Sequence, residues 1–163
     1  MESVSHALLL SAHCSVRICR ARKSEEGLHK VILALDESKF SLHALQQIAS
    51  RPWPAETQFV CISAVPTLAA CMQEYTDWYE IEDLELNRNK QLQSAQRMLD
   101  SAVELLRHEI SGCRATSMVV DGDPRESILN LAETEKADLI VLASAGKNFA
   151  ERLVVGSVSE ASA

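Results

Sequence analysis
Short runs of consecutive apolar residues constrain this chain more than any other feature. Val31-Ile32-Leu33-Ala34-Leu35, Phe59-Val60-Cys61-Ile62-Ser63-Ala64-Val65 and Leu139-Ile140-Val141-Leu142 lack the alternation of a strand with one wet face. Strands of that kind are covered on both faces, as in a parallel sheet between two layers of helices. The intervening segments supply those layers. Ser41 to Ser50 carries Ala44, Leu45, Ile48 and Ala49 on one helical face and stops at Arg51-Pro52-Trp53-Pro54. Glu82 to Ser111 repeats Leu92, Ala95, Leu99, Ala102 and Leu106 at spacings of three and four, with Gly112 as the residue after the helix. Ala115 to Val120 reads as a further strand. Asp123 then caps a helix with Pro124 in its first turn, Glu126 in the capping-box position and Ile128, Leu131 and Ala132 as its apolar face. Thr67 to Ile81 shows no period and is expected to be irregular. Strands alternating with helices predict an α/β fold with a doubly wound parallel sheet.

A chain of 163 residues suits one domain with a full core. Its net charge of −7 makes it a poor general binder of nucleic acid or of anionic membrane, and 4% aromatic residues give no base-stacking platform. The five cysteines, at 14, 19, 61, 71 and 113, form no CxxC pair and read as reduced thiols of a cytoplasmic protein. His13, Cys14 and Cys19 lie close in sequence, but the two cysteines have opposite parity on a strand, and small residues in a packed strand are the simpler reading. Ala7-Leu8-Leu9-Leu10 follows no basic segment and is broken by Ser11 and His13, unlike a leader peptide.

The two ends of the chain resemble each other. Residues 156–161 read Gly-Ser-Val-Ser-Glu-Ala and residues 2–7 read Glu-Ser-Val-Ser-His-Ala, four of six identical at an offset of 154. Ser3 to Ala12 is then expected to be a helix and Cys14 to Arg20 a strand, the pair that belongs after residue 156 in a complete unit. The expected organisation is 1–22 as that helix and strand, 23–29 as a polar linker, and 30–163 as the main domain.

The segment from Ala143 to Ser159 carries the chemistry. It leaves the end of a buried strand, holds Gly146 and Gly156, and continues as Ser157-Val158-Ser159 into an expected helix start. Glycines let backbone N–H groups approach an anion, and a helix N-terminus adds unpaired donors and the positive end of its dipole. The ends of strands are also where open α/β sheets place ligands. Together these features describe a phosphate cradle. Asp36, at the end of the first strand, reads equally well as an acceptor for ribose or adenine and as the cap of the next helix. The Walker pattern GxxxxGK[ST] is absent, and no Ser/His/Asp nucleophile can be placed. His108 reads as a solvated or satisfied histidine of the long helix, and the acidic run Glu80, Glu82, Asp83 and Glu85 as an exposed helix start.

Ala143-x2-Gly146-x9-Gly156-Ser157, the run Arg152 to Glu160, the opening Lys30 to Asp36 and the strand Ala137 to Val141 resemble the universal stress protein family over residues 28–163. Ser3 to Leu10 and Cys14 to Ile18 resemble that family's last helix and fifth strand. The chain therefore looks like a tandem protein cut across two copies, or like a circular permutant. The resemblance implies a five-stranded parallel sheet of order 3-2-1-4-5. It implies ATP, alone or with Mg2+, held by Ala34, Leu35 and Asp36, by the main chain of Ile62, and by Leu142, Ala143, Ala145, Gly146, Gly156, Ser157, Val158 and Ser159. It also implies a homodimer, through the strand Cys14–Arg20 or by exchange of it. Ala143 stands where the family pattern has its first glycine, and a methyl there either crowds the ligand or is accommodated at negative φ. Three functions follow: a stress-response regulator that binds an adenine nucleotide, a dimeric interaction module without ligand, and a slow ATP hydrolase with no evident general base.

Overall fold
The computed structural model describes residues 30–75 and 81–143. Its strands are β1 (Lys30–Ala34), β2 (Gln58–Val65), β3 (Arg114–Asp121) and β4 (Leu139–Val141). Its helices are α1 (Lys39–Ala49), α2 (Leu68–Tyr75), α3 (Ile81–Glu109) and α4 (Pro124–Thr134). The four strands form one parallel sheet in the order β3-β2-β1-β4, with Val31 opposite both Phe59 and Leu139. The expected order is thus met over its first four positions. The fifth strand, Cys14 to Arg20, and its preceding helix lie outside the described residues.

The consecutive apolar residues of β1 are divided between the two faces. Val31 and Leu33, with Phe59, Cys61 and Ala115, pack under α1 and α3 through Leu45, Ile48, Leu99, Ala102 and Leu106. Ile32 and Ile62 turn the other way and meet Ile128 of α4, with Leu131, Ala132 and Ile140 beside it. Val31, Ile32 and Leu33 have no exposure at all, which is why this strand tolerates no polar position. Trp53 closes the first face. Its indole N–H donates to the Ile48 carbonyl at 2.8 Å, and its ring stands edge-on to Phe59 with centroids 5.3 Å apart.

The helix boundaries follow from caps. Ser38 caps α1, its hydroxyl accepting the Ser41 N–H, so α1 begins two residues before the expected Ser41. Asp123 caps α4 as expected, its carboxylate accepting the Glu126 N–H at 3.0 Å with Pro124 in the first turn. Gly112 takes φ +75° just beyond α3, the left-handed conformation that a residue after a helix requires. The expectation of irregular chain over 67–81 is corrected by α2, which the Thr67 hydroxyl starts by accepting the Ala70 N–H. At eight residues it is too short to show a clear apolar period.

Leu99 is fully buried under β2, whereas Leu86, on the same helix, is about half exposed. Leu99→Ala is expected to destabilise the fold by about 2–5 kcal/mol. Leu86→Ala should stay within about 0.5 kcal/mol of the parent. Urea unfolding midpoints of the two variants check both.

Candidate functional site
The chain winds in two directions from β1. Through α1 it passes to β2 and through α3 on to β3, with both helices on one face; through α4, on the other face, it returns to β4. Between β1 and β4 the direction of winding reverses: α1 leaves β1 over one face, and α4 leads into β4 over the other. In open α/β sheets such a reversal marks where a crevice forms at the carboxyl ends of the two strands.

The opposite end of the same pair is tied shut. The Lys30 N–H donates to Asp138 Oδ2 and the Asp138 N–H to the Lys30 carbonyl, both at 2.9 Å. Lys30 Nζ lies 2.7 Å from Glu135 Oε2 in a partly exposed pair, of the kind that contributes about 0–1 kcal/mol. Its value is in register: β1 and β4 start level, so their ends reach the crevice together.

At the crevice Ala34 is half-buried and packs on the second face, and Leu35 is buried on the first. The Leu35 N–H donates to the Ile62 carbonyl at 2.9 Å and makes the last contact of β1 with the ladder. Asp36 follows and is exposed. It does not cap α1, since Ser38 does. Its Oδ1 accepts the Ser38 N–H at 3.1 Å, and its own N–H donates to the Ser41 hydroxyl at 2.9 Å. On the far side of the crevice Leu142 packs on the second face, and Ala143 is half-buried. Ala145, Gly146, Gly156, Ser157, Val158 and Ser159 lie outside the described residues.

Ile62 is the position that the register revises. Its side chain is buried and its carbonyl is already engaged by Leu35. Successive residues of a strand direct their peptide groups to opposite neighbours. Ile62 faces β1, and Val65 faces β3, accepting the Gly122 N–H at 3.0 Å. Ala64 therefore shares the direction of Ile62, but the pairing of β1 with β2 ends at Ala34 and Ile62. The peptide groups of Ala64 look over the end of β1, and among the described residues no hydrogen bond joins them to it. The sequence carried one sign of this. The apolar run of β2 outlasts that of β1, so β2 projects past its neighbour at the carboxyl end.

No metal-binding group of three His, Cys, Asp or Glu occurs among the described residues. Cys61 and Cys113 are free thiols. Burial pushes the Cys61 thiol up to about 12, and burial likewise raises Cys113, against the opposing charge of Arg107. Neither is an activated nucleophile.

Residues 27–163 match the model of the universal stress protein family. The chain belongs to this family. It is 26% identical over 142 residues to universal stress protein MJ0531 of Methanocaldococcus jannaschii, an alignment spanning 85% of this chain and 78% of that protein. Universal stress protein UspA from Lactobacillus plantarum superposes with a TM-score of 0.62 at 18% identity, covering 84% of this chain and 91% of that one. A universal stress protein crystallised in complex with cAMP superposes with a TM-score of 0.52 at 17% identity, covering 81% and 90%. These likenesses establish the α/β fold seen here. Among the described residues no helix is long and apolar enough to cross a membrane.

Because the Cys61 thiol titrates near 12, native protein should resist alkylation there at pH 8, where about one thiol in ten thousand is ionised. Labelling by iodoacetamide, followed by peptide mass, should rise steeply with pH or on addition of urea. Rapid labelling of Cys61 in native protein at pH 8 contradicts this assignment.

Proposed function
We propose that this chain is a cytoplasmic regulatory domain that binds an adenine nucleotide, ATP in the first instance, at the C-terminal ends of β1 and β4, and that acts as a homodimer. The observation that carries the reading is the conjunction at one crevice of the exposed Asp36 carboxylate, the outward peptide groups of Ala64 and the start of the Ala143–Ser159 segment. Asp36 accepts hydrogen bonds from the ribose hydroxyls. The N–H and C=O of Ala64 match an edge of adenine that presents one acceptor and one donor. Gly146, Gly156, Ser157 and Ser159 take the phosphates, for which a glycine-rich turn and a helix N-terminus are suited. Membership of the family supports the choice, as does the relative of the same fold that holds cAMP, itself an adenine nucleotide. The nucleotide is then a bound signal, and slow ATP hydrolysis is the alternative role for the same site. In this reading residues 1–22 supply the helix and fifth strand beside β4, joined to Lys30 by the linker 23–29, in the same chain or in a partner.

Ala143 favours a second reading, in which the crevice stays without ligand and the domain serves as an interaction module. Its methyl stands where the family pattern has hydrogen, and one experiment separates the two. Small molecules released from purified protein by denaturation should include an adenine nucleotide by mass, and ATP should raise the melting temperature. Absence of nucleotide together with an unchanged melting temperature sinks the first reading in favour of the second. Gly156→Val should abolish the ATP-induced rise while the variant unfolds cooperatively; a preserved rise removes the assignment of the phosphates to this segment.

A further inference from the structure
We propose that Ser41 is a positioning residue for Asp36, and that through it the site discriminates ribose from deoxyribose. The proposal rests on the adenine-nucleotide reading above. Ser41 lies in the first turn of α1 and is only 2% exposed, one of the few buried polar residues among those described. Leu35, before the turn, and Leu45, one turn further along the helix, belong to the first core face. The helix does not need its hydroxyl, because the cap is Ser38. Nor does packing need it, since an alanine fills nearly the same space.

What the hydroxyl does is accept the Asp36 N–H at 2.9 Å. The Ser41 N–H donates to Ser38 Oγ at 3.2 Å, and the Ser38 N–H donates to Asp36 Oδ1 at 3.1 Å. Three hydrogen bonds thus close on one another across six residues and fix both the main chain and the carboxylate of Asp36 as the chain leaves β1. Asp36 itself is exposed, and among the described residues its Oδ2 has no partner. A carboxylate in water has no preferred direction unless its backbone and one oxygen are held. The buried Ser41 hydroxyl is the only member of this ring that is shielded from competing water, so it anchors the other two. Recognition of a sugar hydroxyl depends on such placement to within about half an ångström.

The test compares the affinities of the full chain for ATP and for 2′-deoxy-ATP. A hydrogen bond between a carboxylate and the 2′-hydroxyl corresponds to a preference for ATP of about tenfold or more. Ser41→Ala should bring that ratio down to about one to three, mainly by weakening ATP. Leu99→Ala, in the core and outside the ring, should lower the melting temperature while leaving the ratio in place. A Ser41→Ala variant that keeps the parent ratio, whether or not both affinities fall together, overturns the proposal and leaves the nucleotide reading intact. So does a parent that binds both nucleotides equally. A parent that binds neither sinks the nucleotide reading instead, and hydrogen exchange of the Asp36 amide then decides on Ser41. Slow exchange in the parent, at least about tenfold faster in Ser41→Ala, supports the anchor. Exchange at the rate of a free amide in the parent overturns it, and that measurement also stands if Ser41→Ala does not fold.

Discussion

Everything in this molecule depends on β1 being a parallel strand buried on both faces. Val31, Ile32 and Leu33 are shut off from water on each side, so the chain cannot return by a hairpin and must cross over a face each time. Crossovers in parallel sheets are right-handed, and their hand is fixed by strand twist. With β2 and β3 on one side of β1 and β4 on the other, that rule sends α1 and α3 to one face and α4 to the opposite one. The crevice between β1 and β4 is therefore a consequence of strand order, not of any residue that lines it. The residues then divide the labour: apolar side chains hold the layers, and the short turns at the carboxyl ends carry the polar groups.

The turn after β1 shows how little polar material is needed. Leu35 still belongs to the core, while Asp36, one residue later, faces solvent. The transition is made by hydrogen bonds between Asp36, Ser38 and Ser41, of which only Ser41 is buried. A hydrogen bond of this kind contributes about 0.5–1.5 kcal/mol net, so the three together favour one direction of the chain at Asp36. The cap at Asp123 does the same for the turn after β3, where Gly122 takes φ +137° and passes its N–H to Val65.

Much of this was legible in the sequence, for physical reasons that differ from place to place. The strands were legible because burial on both faces removes the polar alternation, as at Val31 to Leu35. The core stripe of α3 was legible because Ala95, Leu99, Ala102 and Leu106 keep one helical face over several turns, and all four are buried. The cap at Asp123 was legible because Pro124 leaves few other starts for a helix. By contrast α2 has only two turns and a local hydroxyl cap at Thr67, so its period is lost in the noise of a short window. The role of Asp36 stayed open between ligand and cap, because both use a carboxylate beside a helix start. Ser38 resolves the cap, and only coordinates show which of two nearby side chains reaches the Ser41 N–H. Ala64 was hidden for a deeper reason. Which peptide groups of β2 are left over depends on the register against β1 and on where β1 stops, and neither is a property of β2's own residues.

The two edges of the sheet are finished differently. The odd-numbered peptide groups of β3 face outward, since those of Arg114 and Gly122 bond to β2. Along that edge α3 lays a line of polar side chains. Arg107 donates to the Ala115 carbonyl at 2.6 Å, Gln96 and Asp100 meet the Ser117 hydroxyl, and Arg88 pairs with Asp121. An edge covered in this way offers a poor template to another strand. Among the described residues β4 stands at the other end of the sheet, with Leu139, Ile140 and Val141 all apolar and all half-buried. Apolar strands with incomplete cover favour a further layer. The long amphipathic helix thus has a second task besides its core stripe, which is to cover the β3 edge of the sheet.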